Sequence, residues 1–179
     1  MTNAIEIDDT NATLQCRSQM QAIISFLKEY VPGYENCWLM SSGSLLGVRE
    51  TRHFEGMEPL QPEDILVARE FDNWVVKKAW FAFDVHNLTG ASLDKTGCQK
   101  HFTQQKEYTI PYGCLLPKGV DGLLLSGRNI SGSHLAHSSF RVMPICIAIG
   151  EAAGVAAAIS VLDNCKLQSI KAQKIQEML

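Results

Sequence analysis

The sequence lacks several things, and each absence excludes something. Lys and Arg number 16 against 19 Asp and Glu, a formal net charge of −3. No basic field is available, which argues against nucleic acid as a partner. Lys77–Lys78 is the only basic doublet and reads as a solvated face. The six cysteines, at 16, 37, 98, 114, 146 and 165, include no pair at the short spacing that zinc or iron–sulfur ligation uses. They read as free thiols, mostly buried, of a reducing compartment, and so of the cytoplasm. Met1 to Thr10 has neither a basic start nor an apolar run, so no secretion leader is read there. The three sequons at Asn11, Asn87 and Asn129 then carry little weight. Nowhere does a G-x-G-x-x-G open a strand–helix–strand unit, nor is the acidic residue found that should follow about 20 positions later to hold a ribose. There is no internal repeat and no low-complexity linker.

What remains is a chain of 179 residues, enough for one domain or a piece of a larger one. Leu14, Met20, Ile23, Ile24, Phe26 and Leu27 predict an amphipathic helix from about Ala12 to Tyr30, stopped by Val31-Pro32-Gly33. A short strand is expected over Cys37–Met40 and an extended stretch over Val48–Glu58. A second helix opens at Gln61-Pro62-Glu63-Asp64, with proline where its missing N–H costs nothing and acids at the positive helix end. Further strands are expected at Trp80–Val85, Glu107–Pro111 and Leu123–Ser126, with a loop over Asn87–Lys100 and a short final helix over Ser169–Met178. The run from Val142 to Leu162 is long enough to suggest a membrane span. Glu151 interrupts it, and its many Ala and Gly residues contribute little to insertion. A buried helix from about Met143 to Leu162 is the expectation, and no membrane. The fold class is α/β, as a mixed α+β arrangement.

The most informative stretch runs from Ile110 to Ala158. An apolar strand delivers the chain to Gly127, where a missing side chain permits a tight turn or close approach to a ligand. A polar loop follows to about Arg141, and Pro144 then sits near the first turn of a helix rich in Ala and Gly. Small residues let its backbone lie close to something flat, and its free N–H groups suit a negative charge. On spacing alone this arrangement serves any anion, or merely packs a helix on a sheet. Cys146 lies in the first turn, where a thiolate is favoured, but no paired cysteine is near in sequence and it reads as buried and inert. His134 and His137, three apart, lack the further ligands a metal needs.

Here the sequence resembles the closing segment of FAD-dependent oxidoreductases, a group that includes relatives of the flavin subunit of heterodisulfide reductase. The resemblance rests on Ile110-Pro111-Tyr112, Leu115 to Gly119, Leu124 to Ser131, and Arg141-Val142-Met143-Pro144 with the Gly150 to Gly154 helix. Upstream, Leu46 to Arg52 and Pro62-Glu63-Asp64 belong to it too, so about residues 20–170 are covered. The resemblance implies FAD as cofactor. Gly127, Arg128 and Asn129 would lie along its ribityl chain or pyrophosphate, and Val142, Met143, Pro144 and Ile145 would face the pyrimidine edge of the flavin. His134 is a candidate substrate-facing acid/base or anion-holding group, or else a histidine bonded to loop backbone. Arg49 and Arg141, and less so Arg52, are candidates to bind a carboxylate substrate or stabilise reduced flavin, or else form structural ion pairs. Leu135 stands where the family tends to carry an acid, and Ser138 where glycine is common, so the polarity of this loop departs from the pattern. Residues 1–106 would be part of a substrate-binding region with its N-terminal helix, and 107–179 the returning segment of the FAD domain. The chain would act on a small molecule, with a second chain supplying the glycine-rich half; the alternative is a non-enzymatic remnant or assembly module.

Overall fold

The amphipathic spacing near the N-terminus produces α1 (Asp9–Tyr30) in a computed structural model that describes residues 9–50, 53–84 and 106–179. Val31-Pro32-Gly33 ends it as expected. The Val31 N–H still reaches the Leu27 carbonyl at 3.1 Å, and Gly33 then takes φ +91°, which glycine adopts without steric cost. Cys37–Met40 is irregular rather than a strand; a strand needs a neighbour for its backbone groups, and its unit has none among the described residues. Met1–Thr51 forms one compact unit and Arg52–Leu179 a second. In the first, Ile23, Ile24 and Leu27 face Tyr34, Cys37 and Trp38 across an apolar groove, but no residue from Thr10 to Glu50 is buried.

The core belongs to the second unit. Its first helix, α2 (Pro62–Leu66), starts where the sequence places it. Asp64 accepts from the Gln61 N–H at 3.0 Å with one carboxylate oxygen and from Arg69 Nη1 at 3.0 Å with the other. Strands β1 (Trp74–Ala79) and β2 (Tyr108–Pro111) pair antiparallel, setting Trp74 opposite Pro111, Val76 opposite Ile110 and Ala79 opposite Tyr108. Between the last two pairs β1 places two residues, Lys77 and Lys78, against one of β2, Thr109, and the surplus is absorbed at Lys78 with φ +56°, the mark of a bulge. The strand expected over Trp80–Val85 lies earlier, at Trp74–Ala79; of the expected stretch Trp80 is exposed, and Phe83 enters the core without joining the ladder. Val85 and the Asn87–Lys100 loop fall outside the described residues.

Three helices complete this unit: α3 (His134–Phe140), α4 (Met143–Leu162) and α5 (Ala172–Gln176). With the two-stranded sheet they make the mixed α+β architecture that was expected. α4 and α5 both pack on β1. α4 is, among the described residues, the one helix long and apolar enough to cross a membrane, and a third of it is buried. Ile145, Ile149, Ala152, Ala156 and Ile159 face the core, while Met143, Ile147, Val161 and Leu162 face outward. The final helix is shorter than expected, preceded by a 3₁₀ turn at Leu167–Ser169. The sheet also joins the two stretches divided at residue 107, since β1 precedes that point and β2 follows it.

Three irregular segments, one of them opening in the 3₁₀ turn Tyr112–Leu115, are knitted together by backbone hydrogen bonds. Residues 55–60 meet 113–118 through Met57 N–H to Leu116 O at 2.8 Å and Lys118 N–H to Glu55 O at 2.8 Å. They meet 131–133 through Leu60 N–H to Ser131 O at 3.2 Å and Ser133 N–H to Leu60 O at 3.0 Å. Leu123–Ser126 is a corrected expectation: it carries a backbone bond from Leu125 N–H to Leu115 O at 2.8 Å but joins no strand ladder. The Val120–Gly122 turn ahead of it and the Gly127 turn behind it leave too short a run to build a ladder.

Buried acids of this core make stability fall in alkali. Burial pushes the Tyr112 hydroxyl up to about 12, and raises the Tyr108 hydroxyl and Cys114 thiol further still. Each group keeps its proton longer folded than unfolded. Its contribution is thus complete below the ordinary value and is lost as pH rises toward the folded value. Urea melts are expected to show stability constant to about pH 8 and falling steadily above about pH 9, with the slope reduced in Tyr112→Phe.

Candidate functional site

The chemistry-bearing residues gather where α3 passes into α4. Gly127–Asn129 is a single 3₁₀ turn, and Gly127 enters it at φ +64°. A Cβ there would meet nothing within 4 Å, so glycine is required by the backbone angle rather than by crowding. Arg128 and Asn129 are exposed, and α4 packs against this turn.

The loop expected from Gly127 to Arg141 is corrected by α3. Ser133 has the extended backbone of an N-cap, and its hydroxyl accepts from the Ala136 N–H at 3.3 Å, so the polar sequence after Gly132 starts a helix rather than extending a loop. His134 is the first helical residue and is half-exposed. His137, on the same face at i+3, is buried and meets the Phe140 ring edge-on with centroids 5.3 Å apart. It also meets the His53 ring, centroid to centroid 5.3 Å. Sequence reasoning did not single out His53; it stands 79 residues from its hydrogen-bond partner Gly132, and no local spacing announces such a pairing.

Arg141 closes α3, and its Nη2 donates to Asp84 twice, to the carbonyl at 2.7 Å and to Oδ2 at 2.8 Å. The side chain is 10% exposed, so the guanidinium is held in a fixed orientation. Val142 follows in extended conformation and caps α4 without a side-chain hydrogen bond. Cys146 N–H reaches the Val142 carbonyl at 2.9 Å; the N–H groups of Met143 and Ile145 have no acceptor within the helix, and Pro144 has no N–H. Ile145 turns its side chain into the core, so only its backbone is available, whereas Met143 is largely exposed. Burial raises the Cys146 thiol, with nearby Arg128 opposing the shift. Of the five cysteines described, all free, Cys114 alone is buried, fewer than expected.

Arg49 is an exposed residue of the first unit. Arg52, with Thr51, falls outside the described residues. Gly127, Arg128, Asn129, Val142, Met143, Pro144, Ile145, His134 and Arg141 all lie in the second unit, on or beside two consecutive helix starts.

An uncapped helix start, whose positive end favours negative charge, thus lies beside a glycine turn, a clamped arginine and a half-exposed histidine. The family model for FAD dependent oxidoreductases matches residues 1–179. The chain therefore belongs to the FAD-dependent oxidoreductase family, and that membership makes FAD its cofactor class and flavin-linked redox chemistry its function. Comparison with curated proteins finds no match, and neither does comparison with solved structures.

Proposed function

We propose that this chain forms the flavin-ring side of an FAD-dependent oxidoreductase acting on a small molecule, with the pyrophosphate grip supplied by a separate glycine-rich segment or chain. The observation that carries this reading is the start of α4. It offers two main-chain N–H groups and a positive helix end, with no side chain capping them. Such a donor set fits the pyrimidine edge of a flavin, where negative charge accumulates on reduction. The turn at Gly127, Arg128 and Asn129 would lie along the ribityl chain. FAD would supply the hydride acceptor. The residues of this chain would orient it: Met143 and Ile145 through their backbone N–H groups, Val142 and Pro144 by fixing the direction in which α4 starts. His134 would deliver or remove a proton at the substrate. Arg141, oriented by Asp84, would hold a carboxylate. Two features support a separate glycine-rich partner: no G-x-G-x-x-G occurs in the sequence, and the outward face of α4 bears Met143, Ile147, Val161 and Leu162.

The test is a flavin titration of the purified chain, followed by fluorescence. Since the surface described holds ring and ribityl but not pyrophosphate, FAD and riboflavin are expected to bind with similar, weak affinity, reduced several-fold in Gly127→Val. FAD binding much more tightly than riboflavin would place a pyrophosphate grip on this chain and overturn the division. Binding of neither flavin, with or without the glycine change, would remove the flavin-ring surface itself.

A further inference from the structure

We propose that His53 is a positioning residue for His134, a tie that fixes the entry to α3 and with it the direction of the His134 imidazole. The proposal rests on the acid–base role given to His134 above. His53 Nδ1 lies 2.9 Å from the Gly132 carbonyl oxygen. A carbonyl can only accept, so Nδ1 carries the proton and, in the neutral ring, Nε2 carries the lone pair. Gly132 stands two residues before His134, and its position is tightly confined: a Cβ there would come within 2.7 Å of the Phe140 ring and 3.3 Å of the Leu60 carbonyl. The next residue, Ser133, is held by Leu60 through its N–H at 3.0 Å and caps α3 through its hydroxyl.

The second contact comes from behind. The His53 ring meets His137 at an interplanar angle of 64°, and His137 lies one helical turn after His134 on the same face. His137 also meets the Phe140 ring, at 83°. His53 thus touches the carbonyl ahead of His134 and the ring one turn beyond it, and both contacts come from a single side chain on the 53–60 segment. His53 bonds the backbone two residues ahead of His134, so it acts on that ring through the start of α3 rather than through the reacting atoms.

The geometry can be read by NMR on the chain alone, without flavin. Long-range ¹H–¹⁵N spectra of histidine-labelled protein are expected to find neutral His53 in the Nδ1–H tautomer. His53→Phe keeps a ring beside His137 but has no donor; His53→Asn keeps a donor at the Nδ1 position but has no ring. The His134 Cε1–H resonance is expected to move by more than its linewidth in His53→Phe and to return toward its original position in His53→Asn. An Nε2–H tautomer at His53 overturns the proposal, as does a His134 resonance that stays put in His53→Phe or moves equally in both variants. Should His53→Phe fail to fold, the tautomer in the unaltered chain still decides. Failure of the catalytic reading is a separate observation: full flavin-linked turnover in His134→Gln would remove the role of His134 while leaving this tie in place.

Discussion

Gly113→Ala is expected to lower the unfolding free energy by about 3 kcal/mol, the upper part of the range for overpacking a filled site. A Cβ at residue 113 would stand 2.5 Å from Glu58 Cβ and 3.1 Å from the Glu58 backbone nitrogen. Neither atom can retreat by rotating a side chain. Both move only with the 55–60 segment, which is held by bonds from Met57 to Leu116 and from Lys118 to Glu55. Gly56 faces the same problem from the 55–60 segment: its Cβ would lie 2.5 Å from Ser131 Cβ and 3.0 Å from the Gly113 carbonyl. The two glycines let three backbones approach closely. Gly127 makes the contrast, since a Cβ there has open space and only the φ of +64° resists it, a penalty of about 1–2 kcal/mol. Urea melts of Gly113→Ala and Gly127→Ala should therefore rank in that order. A loss below about 0.5 kcal/mol at Gly113, the level of an ordinary surface change, would show that the 113 turn can back away.

That difference between two glycines bears on what can be read from sequence. Gly127 is legible because its demand is local: a glycine between an apolar run and a polar loop marks a turn. The demand on Gly113 comes from Glu58, 55 positions away in the chain, and nothing near Gly113 announces it. The helices divide along the same line. α1, α2 and α4 follow from apolar spacing, a Pro-Glu-Asp start and a Pro144 start, all properties of neighbouring residues. α3 was missed because its apolar content is low, and its start depends on one Ser133 hydroxyl and the close fit of Gly132 against Phe140. Strand placement failed for a further reason. Trp80–Phe83 and Leu123–Ser126 have strand composition, but a strand also needs a partner edge, and in this unit β2 offers its edge to Trp74–Ala79. The candidate site was visible at Gly127 and Pro144 and invisible at His53 and Asp84, which reach it only through tertiary contacts.

Asp84 gives the second large effect. Arg141→Met is expected to cost about 3 kcal/mol. Breaking a fully buried ion pair costs about 3–5 kcal/mol; here Asp84 is 34% exposed, so water takes over part of its solvation and the lower end applies. Arg141 Nη2 serves both the carboxylate and the carbonyl of Asp84, so methionine fills the volume but withdraws a donor from two acceptors at once. Asp84→Ala should cost somewhat less, since it leaves the carbonyl contact in place. The double variant should be less destabilised than the sum of the two, because each single change already breaks the same pair. Simple additivity in urea melts would mean that the pair contributes nothing of its own. The consequence reaches function because Arg141 is the hinge residue between α3 and α4: its N–H bonds back to the His137 carbonyl at 3.1 Å, and Val142 immediately caps the next helix. A loosened Arg141 therefore lets the start of α4 shift relative to the Gly127 turn. If its contribution is this alignment, Asp84→Ala should weaken flavin binding nearly as much as Arg141→Met. If the guanidinium instead contacts the substrate directly, Asp84→Ala should keep flavin affinity, and the loss should fall on substrate KM in the Arg141 variant alone.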